Sequence, residues 1–168
     1  DVTRREHGGL IDAVSTLPHA PELLVIDTAA GIGTSVTGFC QAADEVVVVA
    51  CDEPAALADA YGLIKVLNRD RGVKRFHLVC NRVTSEAHGR RVHATLLGVC
   101  ERFLDLSLGY LGHVPDDPKL RQAAYRRRAV VDAFPAAPSS VAFKRLAVAA
   151  DRTFRSDDGS RDCASTFT

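Results

Sequence analysis

Four polar stretches, each directly after an apolar run, hold most of the residues in this chain whose types suit chemistry. They are Asp27 to Gly33 after LLVI, Cys51-Asp52-Glu53-Pro54 after VVVVA, Asn81-Arg82 after FHLVC, and Pro115-Asp116-Asp117 after LGHV. A carboxylate following a buried strand and leading into Thr28-Ala29-Ala30-Gly31 suits a magnesium and phosphate site. Asp27 would hold a metal-bound water, and Gly31 would let a backbone N–H approach a terminal phosphate. The competing use is local, with Asp27 or Thr28 capping a helix over 34–43.

Two other chemistries fit the same glycines less well. Gly31-Ile32-Gly33 after a strand, with Asp52 ending the next strand about 20 residues on, has the layout of a dinucleotide-binding half. The third glycine of that fingerprint falls at position 36, where Val36 stands. A nucleophile elbow fails by one residue, because Gly33-Thr34-Ser35-Val36-Thr37 ends in threonine. The six histidines are scattered, with His88 and His93 five residues apart and so on different helix faces. They read as surface or packing residues. Arg126-Arg127-Arg128 reads as a solvated face rather than a phosphate clamp.

Such residues need a scaffold that brings strand ends to one rim. The runs Leu23–Ile26, Val46–Ala50, Phe76–Cys80 and Ser107–Val114 predict strands, and the first two lack polar alternation, as strands buried on both faces do. Apolar residues recur at helical spacing over roughly 34–43, 54–70 and 85–103, and again in a short helix near 119–126 and a last helix over about 139–154. An amphipathic helix is also expected over 3–17, from Leu10, Ile11, Val14 and Leu17. Alternation of this kind predicts an α/β fold, a doubly wound, mainly parallel sheet with helices on both faces. Ligands of such sheets sit beyond the carboxyl ends of the strands, where the four polar stretches fall. The last helix carries Lys144, Arg145 and Arg152 beside an apolar stripe, and packing on the sheet is its expected use. The polar tail over 155–168 is expected to be disordered, leaving one domain over 1–154.

Composition narrows the setting. Lys and Arg total 21, as do Asp and Glu, so charge calls for no specific nucleic acid. The five cysteines form no CxxC pair and suit reduced cytosolic thiols. No apolar run approaches a membrane span of about 20 residues. Methionine is absent throughout, so the chain is expected to be a processed or partial product.

The stretches REHGGLIDAVSTL, LLVIDTAAGIG, QAADEVVVVACDEPAALADAYGLIKVLNRDRGVKRFHLVCNRV and LGHVPDDPKLRQAAYRRRAVVDAFP together resemble the MinD/ParA class of P-loop ATPases. More narrowly they resemble the FlhG/FleN proteins that control flagellar number and placement. The resemblance implies ATP and Mg2+ as ligands in the complete protein. It makes Asp27 the switch aspartate that orders magnesium-bound and attacking water, and sets Gly31 at the γ-phosphate. By the same resemblance Asn81 hydrogen-bonds the adenine edge, Pro115 and Asp116 line the base pocket, and Asp52, Glu53 and Pro54 lie on a dimer rim. It further implies an ATP-driven homodimer, peripheral membrane attachment at the inner face of the plasma membrane, and partners such as an FlhF-type GTPase, a flagellar transcription regulator and basal-body components.

One part of the family pattern is missing. The class's phosphate loop, K-G-G-x-x-K-[ST], belongs N-terminal to everything here, and Lys65, Lys74, Lys119 and Lys144 follow Ile64, Val73, Pro118 and Phe143, so no Gly-Lys step occurs. The fold is therefore expected to be an incomplete P-loop one, with Leu23–Ile26 short of a neighbour. The parent protein is expected to be the ATPase and this segment by itself inactive. A non-catalytic interaction module, a truncated relative that no longer binds nucleotide, is the alternative.

Overall fold

The computed structural model describes residues 21–155. Three strands, β1 (Val46–Cys51), β2 (Phe76–Val83) and β3 (Gly109–Pro115), form one parallel sheet in the order β1-β2-β3. Helix α1 (Thr34–Ala42) precedes β1, α2 (Pro54–Arg71) joins β1 to β2, and α3 (Glu86–Leu104) joins β2 to β3. Beyond β3 come α4 (Pro118–Tyr125), the single turn α5 (Val130–Ala133) and the long α6 (Pro138–Arg155).

Local sequence accounts for where these helices start and stop. Pro54 occupies the first turn of α2, where its missing N–H costs nothing, and Gly72 ends that helix in the left-handed region at φ 71°. Asn68, buried in the last turn, donates from Nδ2 to the Val73 carbonyl at 3.0 Å and fastens the exit. Ser85 caps α3, its Oγ accepting from the His88 N–H at 3.1 Å.

Different helices pack on the two faces of the sheet. Along β1 the burial alternates, with Val46, Val48 and Ala50 inside. These pack with Ile64 and Leu67 of α2, Leu78 and Cys80 of β2, and Val92, Leu96 and Cys100 of α3 into the main core. Cys80 donates its thiol hydrogen to the Gly89 carbonyl of α3 at 3.2 Å, and burial pushes that thiol up to about 11. Gly112 of β3 pairs with Val79, the neighbour of Cys80, and so faces the other side. There α6 approaches so closely that a β-carbon on Gly112 would lie 2.7 Å from Leu146 Cδ2. A smaller cluster of Ala123, Val130 and Ala137 ties α4, α5 and the start of α6 together.

One expected strand is missing, and one competing use of the loop before α1 is excluded. Leu23–Ile26 forms no strand and is exposed, with Val25 at 79%. A strand exists only through a ladder, and among the described residues nothing pairs with this run or with the outer edge of β1. The helix over 34–43 forms, but Gly33 is its N-cap with no side-chain bond, so neither Asp27 nor Thr28 caps it. The helix expected over 3–17 and the tail beyond Arg155 lie outside the described residues. Among those described, no helix is long and apolar enough to cross a membrane.

Candidate functional site

The parallel register brings three of the four polar stretches to one rim. Cys51 pairs with Asn81 and Asn81 with Val114, so Asp52 to Pro54, Asn81 and Pro115-Asp116 follow a common row across the sheet. Past that row the Asp116 N–H donates to the Val83 carbonyl at 3.1 Å, which holds the Pro115-Asp116 turn against the end of β2. The Asp116 carboxylate turns aside to Arg121 at 2.6 Å. A ligand at this turn therefore meets the Pro115 ring and main chain before any free carboxylate.

Asn81 stands half-buried at the middle of the rim, its Oδ1 accepting from the Arg82 N–H at 2.9 Å. Arg82 itself has φ 55°, a left-handed backbone uncommon outside glycine. Its guanidinium reaches Glu53 Oε1 at 3.4 Å, an exposed pair worth little by itself. Asp52 is gripped more firmly. His88 Nδ1 accepts from the Thr84 N–H at 3.2 Å, so the hydrogen sits on Nε2 and is donated to Asp52 Oδ2 at 2.6 Å. One imidazole thus ties the loop after β1 to the start of α3.

Asp27 and Gly31 are not brought to this rim by any hydrogen bond or ion pair among the described residues. Both are exposed on the segment that leads into α1. Gly31 has φ 104°, with open space where a β-carbon would be, so glycine is required there by backbone conformation and not by crowding. No group of three or more His, Cys, Asp or Glu capable of holding a metal occurs among the described residues.

No protein-family model matches the chain. Against individual proteins it is 48% identical over 146 residues to the antiactivator FleN of Pseudomonas aeruginosa, a match covering 87% of this chain and 52% of that protein. It is 32% identical over 108 residues to the flagellum site-determining protein YlxH of Helicobacter pylori, covering 64% of the chain and 36% of YlxH. The chain is of the FlhG/FleN type, within the MinD/ParA class. It spans about half the length of FleN. The septum site-determining protein MinD of Pyrococcus horikoshii, solved as a complex with Mg-ADP, superposes with a TM-score of 0.65 over 86% of this chain and 55% of its own. At 19% identity, that likeness establishes the α/β fold alone.

In this FlhG/FleN-type chain the rim rests on a residue to which the sequence reading assigned no role. Asp117 is buried, and its Oδ1 accepts from the Lys119 N–H at 2.8 Å, capping α4. Its Oδ2 accepts from both the N–H and the hydroxyl of Ser139 in α6, at 3.0 and 2.6 Å. The Ser139 hydroxyl, helped by these N–H groups, holds the carboxyl below its ordinary value. The available signal was Asp117-Pro118, a capping residue before a proline at the first helical position. Ser139, 22 residues away, offered none.

Proposed function

We propose that this chain forms the base-binding and rim half of an ATP-dependent dimerisation switch that regulates flagellar number, placement and assembly. The observation that carries the proposal is the 48% identity to the antiactivator FleN over 146 residues. The rim suits an adenine: Asn81 offers an acceptor and a donor side by side, and Pro115 offers an apolar ring beside main chain. Asp27 would order magnesium-bound water, since Mg2+ keeps several waters and needs few protein ligands. Gly31 would admit a backbone N–H beside the terminal phosphate. Bound magnesium ATP supplies the phosphoanhydride whose cleavage would return the dimer to single copies. Asp52, Glu53 and Pro54, with Asp52 steadied by His88, would lie where two copies close face to face. The dimer would then present surfaces to an FlhF-type GTPase, a flagellar transcription regulator or basal-body components, with peripheral attachment to the membrane.

A second reading, an interaction module without nucleotide, is favoured by the exposure of Asp27 and Gly31, which no hydrogen bond or ion pair among the described residues ties to the rim. The two readings part on measurement. In the full-length gene product, Asp27→Ala is expected to lower ATP hydrolysis about 100-fold or more, the scale of a lost water-positioning group. Unchanged hydrolysis would remove Asp27 from its role. The 168-residue chain alone is expected to show no ATP binding above background in calorimetry, and saturable binding would refute that. An in-frame K-G-G-x-x-K-[ST] upstream of Asp1 supports the ATPase, and a nearby stop codon supports the module.

A further inference from the structure

We propose that the turn closing α4, Tyr125 to Arg128, is a docking surface for an acidic segment of another protein. Arg127 and Arg128 take the carboxylates of that segment, and one of its apolar side chains lies on the Tyr125 ring. The turn stands at the far end of α4 from the rim and needs no nucleotide.

In sequence Arg126-Arg127-Arg128 reads as a solvated face, but the backbone gives Arg127 a stricter position. Helix α4 ends in a closed loop: the Arg127 N–H donates to the Ala124 carbonyl at 2.9 Å, and the Arg128 N–H reaches back to the Ala123 carbonyl at 3.0 Å. A helix end closed by this pair of bonds holds a left-handed residue, usually glycine. Here Arg127 holds it, at φ 52°. Elsewhere the chain chooses residues suited to such an exit. Gly72 ends α2 at φ 71°, and Asp105, whose short polar side chain tolerates the region, ends α3 at φ 49°. Arginine has no local suitability there, and its β-carbon makes the turn costly. The fold receives nothing from the side chain in return. Arg127 and Arg128 are exposed and, among the described residues, make no side-chain hydrogen bond, ion pair or ring contact. Costly backbone conformations kept in this way cluster at binding surfaces.

The surroundings select an anion. The Phe134 ring carries two cations, Lys119 Nζ at 4.8 Å and Arg126 Cζ at 5.3 Å from its centroid. With Arg127 and Arg128 that gathers four positive side chains around one turn, none in an ion pair among the described residues. Arg121 on the same helix is already matched, by Asp116. Like charges held together repel, and an incoming carboxylate relieves them. Tyr125, 90% exposed and without a described partner, adds a rigid ring beside the arginines. Tyrosine and arginine are the residues enriched at the hot spots of protein interfaces. A planar guanidinium meets a carboxylate with two parallel bonds. Nucleic acid fits less well, because its recognition rests on a strongly basic domain and this chain carries 21 acidic residues against 21 basic ones. An acidic segment needs complementary charge at the contact alone.

The test uses the full-length gene product without nucleotide, so its outcome is separate from the adenine reading. The probe is a short fluorescent peptide of glutamate pairs alternating with leucines, followed by anisotropy. Saturable binding that weakens with added salt is expected. Arg127→Gly is expected to weaken it about fivefold, the scale of one exposed charged contact, while raising the melting temperature by about 2–4 °C. Tyr125→Ala is expected to weaken it about tenfold with melting unchanged. The opposite signs in Arg127→Gly are the signature, since an arginine kept for the fold would lose stability when replaced. A wild-type protein that leaves the peptide free overturns the proposal. So does an Arg127→Gly variant that melts lower, or either variant binding as wild type does. Tighter binding of a DNA duplex or of phosphatidylglycerol vesicles, lost in the same variants, assigns the turn to phosphates and overturns it too.

Discussion

Asp117 is the residue on which the site's geometry most depends, because one buried carboxylate serves the starts of two helices. Its bonds to the Lys119 N–H and to Ser139 fix the loop after β3 against α6. Replacing it with alanine leaves two helix ends uncapped and a buried Ser139 hydroxyl without its partner. Asp117→Ala is therefore expected to cost about 2–3 kcal/mol in chemical denaturation, from one cap and one charge-assisted bond. The sign of its pH dependence follows from the lowered native value. The contribution is complete above the ordinary carboxyl value of 3.8 and is lost as pH falls from there through the native value. Denaturation midpoints of wild type and Asp117→Ala are thus expected to converge in acid, and a gap that stays constant below pH 4 would contradict this. Half of this role had a local signal that the sequence reading left unused, an aspartate directly before Pro118. The other half needed the chain to return across 22 residues, which no local pattern records. Arg82 was hidden for a different reason, since its type gives no hint of a left-handed backbone.

At the scale of elements, the apolar periods located α1, α2, α3, α4, α6, β1, β2 and β3 to within a few residues, because each is long enough to show its period and packs as that period demands. The element they missed, α5, is one turn of four residues and has no period to show. The one they wrongly supplied, Leu23–Ile26, has strand composition but no partner. Composition states how a strand packs, whereas pairing states whether it exists. How closely elements meet was also unreadable, and Gly89 of α3 is the sharpest case. A β-carbon there would lie 2.9 Å from the Tyr110 hydroxyl and 3.1 Å from His113 Cβ, with Cys80 Cβ at 3.5 Å. Tyr110 Oη is the end of a side chain and can move, but His113 Cβ is fixed to β3. Gly89→Ala must therefore separate α3 from the sheet by a few tenths of an ångström, against the gain of about 1 kcal/mol that alanine brings to a helix interior. The expected balance is a net loss of about 1–2 kcal/mol, the scale of an overpacked core. The control is Gly98→Ala on the same helix, where nothing lies within 4 Å, and it is expected to stabilise. If both variants raise the melting temperature, the contact between α3 and β3 is looser than its geometry states.

For the whole molecule, the sheet is closed on one face and only partly closed on the other. Helix α6 covers β3 and reaches β2, where Phe154 meets the His77 ring edge-on at 5.4 Å between centroids. Beyond that helix Val47 and Val49, which pair with His77 and Val79 and so lie on the same face, remain 40% and 61% exposed. The outer edge of β1 has no described partner, and Leu23 to Ile26 add four more exposed apolar side chains. Single exposed valines are ordinary; an apolar strand face beside an open edge is a template for association. The 168-residue chain in isolation is therefore expected to bind an apolar dye and to sediment as larger species as its concentration rises. Val47→Lys with Val49→Lys places two like charges on that face and is expected to suppress the association. Because both side chains point away from the main core, the same double variant should change unfolding stability by no more than about 1 kcal/mol. Wild-type chain that remains a single monomeric species across the concentration range would show that the edge is already covered, and a double variant that associates as before would place the contact elsewhere.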